Sequence, residues 1–204
     1  MKLYGAPKPA PNPRRVRMFL AEKGIALEET PVDLMTREHK SDAYRAKNSL
    51  GQVPTLELDD GSTISETVAI CRYFEELQPE PSLFGRTPFE KANVDMWVRR
   101  VEFVLMQPVG AYWRHAHPRT AGLIHQYRDF GESNRGAYSS AQRWLDDELA
   151  DGRSFIAGDQ LSMADICALS TVDFANWIGL PIDDERTHLA AWHARMKARP
   201  SAAA

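Results

Sequence analysis

The chain carries two cysteines and six histidines, the side chains best suited to metal, redox or nucleophilic chemistry. Cys71 and Cys167 stand far apart, each inside an apolar helical pattern. That arrangement is not a disulfide framework, a CxxC redox pair or a zinc site. His115 and His117 are two positions apart, so on a helix they would not share a face, and no metal site is expected there. Ser65-Glu66-Thr67 precedes an apolar-periodic run, and the N–H groups at a helix start favour an anion. The same residues also read as an ordinary helix start, with Ser65 as N-cap and Glu66 as a favourable first-turn acid. Asn12 sits between Pro11 and Pro13 and reads as an N-cap with Pro13 in the first helical position. Ser162-Met-Ala-Asp165 is a capping box with an acid in place of the usual Glu or Gln, and Leu161 and Ile166 are spaced as its hydrophobic staple. This last motif starts a core helix and carries no chemistry.

The elements that must position these residues change in kind along the chain. Lys2-Leu3-Tyr4-Gly5 is a short strand candidate, followed by a Pro-rich loop over Ala6 to Pro13. From Arg14 the pattern is helical, with Val16, Phe19 and Leu20 at helical spacing and Lys23-Gly24 as its end. Leu27 to Leu34 reads as a strand, and Pro31 within it assigns that strand to a sheet edge. Val53 to Leu58 and Ser62 to Ile64 form a strand pair around the Asp59-Asp60-Gly61 turn. A helix over Ser65 to Leu77 is expected to bury Val68, Ile70, Cys71 and Phe74. Past the linker-like Gln78-Pro79-Glu80-Pro81-Ser82 the strand signals stop. One long helix is expected from Phe89 towards Arg114 with Pro108 as a kink, a second over Ala137 to Leu149, a third from Ser162, and a last one carrying Leu189, Trp192 and Met196 on one stripe. The layout predicts an α/β domain over residues 1–78, a linker over 79–87 and an all-α domain over 88–204.

Of the 204 residues, 43% are hydrophobic and 26% charged, ordinary for a soluble globular protein. The net charge of -3 and pI near 6.1 give no support for nucleic-acid binding. No run approaches the roughly 20 apolar residues that span a bilayer, and no signal-type apolar region opens the chain. These features predict a soluble, cytoplasmic protein with no nucleic-acid or membrane partner.

Five segments taken together resemble the glutathione transferase family, most closely its theta/zeta-like bacterial and fungal branches. They are Asn12-Pro-Arg-Arg-Val-Arg-Met-Phe-Leu-Ala-Glu-Lys-Gly24, Leu50-Gly-Gln-Val-Pro-Thr-Leu56, Ile64-Ser-Glu-Thr-Val-Ala-Ile70, Phe155-Ile-Ala-Gly-Asp159 with Ser162-Met-Ala-Asp-Ile166, and Trp192-His-Ala-Arg-Met-Lys-Ala-Arg-Pro-Ser201. They occur in the family's order over nearly the whole chain. The resemblance implies a thioredoxin-like N-terminal domain that binds glutathione, a C-terminal helical bundle, and a homodimer. Glutathione would be the co-substrate, and no metal is implied.

Glutathione has one ammonium, two carboxylates and a thiol, and a site needs a partner for each. By resemblance, a cis peptide at Val53-Pro54 lets the Val53 backbone pair with the cysteinyl unit as an added strand would. Glu66 takes the ammonium, and the helix start at Thr67 takes the γ-glutamyl carboxylate. Gln52, His39 and Lys40 face the glycine carboxylate.

The resemblance departs at its most informative position. This branch places a Ser or Cys in the first loop to activate the thiol, and the matching residue here is Ala10, which has no donor. Two other donors are candidates for catalysis: the Asn12 side-chain amide with nearby backbone N–H groups, and His115, directly or through a water. The electrophile site is expected between the domains, with Lys8, Pro9, Val109, Tyr112 and Trp113 as its wall. These features predict transfer of glutathione to an apolar electrophile. Glutathione-dependent peroxide reduction and a non-catalytic ligand carrier stand as alternatives, the carrier because of Ala10.

Overall fold

A computed structural model describes residues 1–204. The chain begins with β1 (Lys2–Gly5), α1 (Pro11–Lys23) and β2 (Glu28–Pro31). A 3-10 turn over Glu38–Lys40 and the short α2 (Asp42–Arg45) lead to the hairpin of β3 (Thr55–Glu57) and β4 (Thr63–Ser65), and α3 (Thr67–Leu77) closes the set. The sheet order is β2-β1-β3-β4. β1 runs parallel to β2 and antiparallel to β3, and β3 is antiparallel to β4. β2 with Pro31 lies at the edge, where a residue without an N–H leaves no gap in a ladder. α1 and α3 pack together. Val16, Phe19, Ile70 and Phe74 from these helices join the cross-strand partners Leu3 and Leu56 in the buried core.

The helical part comprises α4 (Pro88–Arg100), α5 (Gln107–His115), α6 (Arg128–Leu149), α7 (Met163–Trp177) and α8 (Thr187–Lys197). α7 is buried along almost its whole length, so it has no polar face and lies in the middle of the bundle. Leu145, Ile166, Leu169, Leu189 and Trp192 are fully buried.

Several boundaries differ from the sequence expectation. α1 starts at Pro11, with Ala10 as N-cap. Asn12 is therefore not the cap and Pro13 not the first residue, because Pro11 already supplies the fixed φ and missing N–H that suit that position. Ser65 does not cap α3: its backbone is committed to β4 opposite Thr55, and Glu66 occupies the cap position with no side-chain cap bond. Val68 is half-buried rather than core. The long helix is interrupted by a π-helical stretch over Val101–Met106 in place of a simple kink at Pro108. Gln107 N–H reaches back to the Glu102 carbonyl, a wider register that accommodates the absent Pro108 donor. α6 begins at Arg128, ahead of the expected Ala137.

The compact units run Met1–Leu83 together with Pro200–Ala204, and Phe84–Arg199. The segment read as a linker over 79–87 is thus divided between them. Its first half is fastened to the first unit: buried Lys23 Nζ donates to the carbonyls of Gln78 at 2.8 Å and Pro79 at 3.2 Å, and Leu83 N–H donates to Glu75 Oε1 at 3.0 Å. The last residues also pack there, with Arg14 Nη2 donating to the Ala202 carbonyl at 2.9 Å.

Candidate glutathione site

Strand register brings the candidate residues of the first unit to one end of the sheet. Tyr4 of β1 pairs with Thr55 of β3, and Thr55 pairs with Ser65 of β4. One step outward from that row stand Gly5, Pro54 and Glu66. The loop into α1, the Val53-Pro54 turn and the start of α3 therefore converge. The Val53-Pro54 peptide is cis; Gln52 is exposed, Val53 half-buried and Pro54 buried.

Glu66 has φ 70° and ψ 122°, a left-handed φ that costs a non-glycine residue about 1–3 kcal/mol. Its side chain is exposed. The first bond of the α3 ladder is Ile70 N–H to the Glu66 carbonyl, so the N–H groups of Thr67, Val68 and Ala69 precede the ladder. Those donors and the helix dipole form an anion-attracting end, beside a carboxylate that attracts a cation.

His39 and Lys40 arrive through the 3-10 turn, packed against the loop before Val53. Lys40 Nζ donates to the carbonyls of Leu50 at 3.0 Å and Gly51 at 2.7 Å. Gly51 permits this approach: its φ is +56°, and a Cβ there would sit 2.5 Å from the His39 carbonyl oxygen. His39 Nδ1 is buried without a hydrogen-bond partner. Burial, then Lys40 and Arg37, hold the His39 pKa below its ordinary value. Burial, then Arg45 and Arg37, do the same for Lys40. Four basic groups thus crowd one place, a setting that favours an incoming carboxylate.

Ala10, which the resemblance matches to the thiol-activator position, donates its N–H to the Pro7 carbonyl at 3.2 Å. Of Pro11, Asn12 and Pro13 only Asn12 has a backbone N–H. Its half-buried side chain is released from capping because Ala10 holds that place. Tyr4 is not aimed at this loop: its hydroxyl donates to Glu57 Oε2 at 2.7 Å, and Lys47 Nζ binds the same oxygen at 2.7 Å. Those two hydrogen bonds, Lys47 first, hold the Glu57 pKa below its ordinary value. Lys8 and Pro9 are exposed in the loop, and Lys8 Nζ donates to the Ala203 carbonyl.

The remaining candidates lie in the helical unit. Val109 is fully buried and Tyr112 nearly so, with the Tyr112 hydroxyl accepting from Arg135 Nη2. Trp113 is half-buried within an aromatic cluster, its ring centroid 4.8 Å from His117, 5.4 Å from Phe174 and 5.5 Å from Trp177. His115 does not share that cluster. Its Nδ1 accepts from Tyr127 N–H at 3.4 Å, so the ring proton resides on Nε2 in the neutral form. Sequence reasoning missed Tyr44, Asn48 and Thr55, which are buried behind Gln52. Their one signal is polarity at positions the fold buries, and burial becomes visible only when α2 folds onto the sheet.

Architecturally, the chain is a thioredoxin-like α/β domain followed by a helical bundle. A family model described as the glutathione S-transferase N-terminal domain matches residues 10–77, and one for the C-terminal domain matches residues 133–195. The chain is 38% identical over 205 residues to glutathione S-transferase 2 of Saccharomyces cerevisiae, covering 98% of this chain and 87% of that protein. The crystal structure of Gtt2 from Saccharomyces cerevisiae superposes with a TM-score of 0.92 at 37% identity, over 98% of both chains. A glutathione S-transferase domain-containing protein of Marinobacter aquaeolei superposes with a TM-score of 0.91 at 40% identity, over 98% of this chain and 99% of that one. The protein belongs to the glutathione S-transferase family.

Proposed function

We propose that the protein transfers the glutathione thiolate to an apolar electrophile. The sulfur attacks an electrophilic carbon, a C–S bond forms, and the leaving group, for example chloride, departs with the bonding pair. The thiol proton passes to solvent. The observation that carries this reading is the meeting of Pro54 and Glu66 at one end of the β3–β4 ladder. There Glu66 receives the ammonium, and the α3 N–H groups receive the γ-glutamyl carboxylate. The Val53 backbone receives the cysteinyl unit, and Gln52, His39 and Lys40 receive the glycine carboxylate.

Thiol activation does not require a hydroxyl. A free thiol of pKa about 8.5 is a few per cent ionised near pH 7, so full ionisation gains on the order of 30-fold in thiolate. A two-unit fall in pKa needs roughly 2.7 kcal/mol, and one or two hydrogen bonds to a charged acceptor supply about 1.5–3 kcal/mol each. We assign the role to the Asn12 amide together with the Asn12 backbone N–H, the one backbone donor in the Pro11–Pro13 segment. His115, through Nε2–H, is the second candidate, and the half-buried Trp113 ring provides an aromatic surface for the electrophile, whereas Tyr112 and Val109 are too deeply buried to form the expected wall. A second reading, a glutathione-fold carrier without turnover, is favoured by Ala10 alone.

We further propose a cytoplasmic homodimer acting in detoxification. Cys71 and Cys167, buried and outside any disulfide, suit a reducing compartment. Phe89, Met96 and Phe103 are exposed at seven-residue spacing along α4 and its π-helical continuation, a stripe suited to self-association. Calorimetry with glutathione, followed by conjugation assays with a chloronitrobenzene, tests the reaction. The reading predicts micromolar-to-millimolar binding that Glu66→Ala weakens, together with turnover. Binding that ignores Glu66→Ala removes the proposed site, and tight binding with no turnover across a broad electrophile panel favours the carrier.

A further inference from the structure

The Gln52 carbonyl is held by an unusual density of buried donors. Tyr44 Oη donates to it at 2.9 Å and Asn48 Nδ2 at 2.9 Å. Asn48 Nδ2 also reaches Thr55 Oγ1 at 3.2 Å, and Thr55 Oγ1 lies 3.0 Å from Tyr44 Oη. Thr55 Oγ1 also stands within reach of the Gln52 carbonyl, at 3.4 Å, but its shorter contact is with Tyr44, and the shortest contacts together give one consistent pattern. The single Tyr44 proton goes to the Gln52 carbonyl. The two amide protons of Asn48 go to that carbonyl and to Thr55, and the Thr55 proton returns to Tyr44. Both lone pairs of the carbonyl are then occupied, every hydroxyl and amide proton is used, and the ring of bonds is closed. Tyr44, Asn48 and Thr55 are all buried, so water does not compete for these bonds, and burial raises the Tyr44 pKa, keeping its proton in place. The two preceding carbonyls, of Leu50 and Gly51, are held by Lys40 Nζ.

A trans peptide is planar, and its N–H points opposite to its C=O. The Gln52–Val53 peptide is not among the cis bonds, so clamping the Gln52 oxygen into the buried ring aims the Val53 N–H away from it, out of the protein interior. We propose that Tyr44, Asn48 and Thr55 are positioning residues: their closed hydrogen-bond ring orients the Gln52–Val53 peptide plane so that the Val53 N–H is presented to the backbone of glutathione. This rests on the reading of Val53 as a glutathione contact. The ring touches no ligand. It removes the rotational freedom of a peptide that an unclamped loop would have to lose at binding.

The test compares Tyr44→Phe, which deletes one oxygen and keeps the ring packing, with Thr55→Val and the conservative Thr55→Ser. Dissociation constants are measured for glutathione and for γ-glutamyl-α-aminobutyryl-glycine, the analogue with a methyl in place of the thiol. KM for glutathione, KM for the electrophile, kcat and thermal melting are followed alongside. Tyr44→Phe and Thr55→Val are expected to weaken both tripeptides equally, by about tenfold, corresponding to about 1.4 kcal/mol. kcat, the apparent thiol pKa and the KM for the electrophile stay unchanged, and Thr55→Ser binds as the parent does. A Tyr44→Phe protein that melts as the parent and binds both tripeptides undiminished overturns the inference. So does a parallel rise in KM for the electrophile, which marks general loosening. Glu66→Ala separates the two levels: if it weakens binding while Tyr44→Phe does not, the site stands and only the positioning role fails. If neither weakens it, the site itself is wrong.

Discussion

The Asp165 carboxylate accepts the indole N–H of Trp192 at 3.0 Å, tying the first turn of α7 to the middle of α8. The same carboxylate takes Ile156 N–H at 2.8 Å, Ser162 N–H at 3.1 Å and the Ser162 hydroxyl at 2.9 Å. Burial pushes its pKa up, opposed by these bonds. Asp165→Ala leaves these donors buried without a partner. Each such donor costs about 1–3 kcal/mol, and partial relaxation leaves an expected loss of about 3 kcal/mol in total. For a chain of this size that lowers Tm by roughly 6–12 °C, read by calorimetry or circular dichroism. A Tm within a degree of the parent would show that the carboxylate is not the keystone of this turn.

That capping box was legible in the sequence because its logic is local: an N-cap serine, an acid three residues on, and apolar flanks. The strand at Lys2–Gly5 and the edge position of Pro31 were legible for the same reason. What escaped the sequence depends on competition between neighbours. Asn12 is a good N-cap in isolation, but Pro11 one residue earlier starts the helix first. Ser65 is likewise a good cap until its backbone is taken by Thr55 in the neighbouring strand. At the candidate site, Glu66 and Val53-Pro54 are recognisable as motifs, while their adjacency is a property of strand register. The Tyr44–Asn48–Thr55 ring has no local signature, since polar side chains at those positions would be unremarkable on a surface loop.

Glu66 pays for its place with a strained backbone. Its φ of 70° suits glycine, which adopts that region freely. Glu66→Gly removes strain of about 1–3 kcal/mol and loses about 0.5–1 kcal/mol to the greater freedom of the unfolded chain. The variant should therefore be as stable as the parent or more so, by up to about 2.5 kcal/mol in urea unfolding. It should also bind glutathione at least tenfold more weakly, having lost the carboxylate that meets the ammonium. Greater stability with poorer binding is the pattern expected of a residue retained for its ligand. Undiminished binding would show that the side chain has no part in it.

The proposed contact of His39 with the glycine carboxylate should make binding of the tripeptide depend on pH. Burial and the neighbouring Lys40 and Arg37 hold its pKa below its ordinary value in the free protein, which favours the neutral imidazole. An arriving glycine carboxylate favours the imidazolium and pulls the pKa up, so binding takes up protons. Affinity then rises as pH falls from about 7.5 towards 6, by less than the tenfold per pH unit that uptake of one whole proton would give. The thiol-free analogue isolates this term from ionisation of the sulfur. Calorimetry in buffers of different ionisation enthalpy counts the protons directly, and His39→Gln should flatten the profile. Equal proton uptake in the parent and His39→Gln would assign the dependence to another group.

Asn12 carries the sharpest chemical claim, because it stands beside an activator position occupied by a methyl group. With Ala10 as the cap, the Asn12 amide has no structural duty that its loss would expose. Asn12→Ala should leave Tm and the KM for glutathione near the parent values. It should raise the pKa of the bound thiol by about one unit, corresponding to 1.36 kcal/mol of lost hydrogen bonding to the charged sulfur. Thiolate absorbance of the binary complex against pH reads that shift directly. The limb of log kcat/KM against pH should move with it, while the rate well above the new pKa recovers. His115→Ala tests the competing donor in the same assay. A shift on His115→Ala and none on Asn12→Ala would transfer the activating role to the histidine, and no shift in either would leave the sulfur at most the Asn12 backbone N–H and refute both side-chain donors.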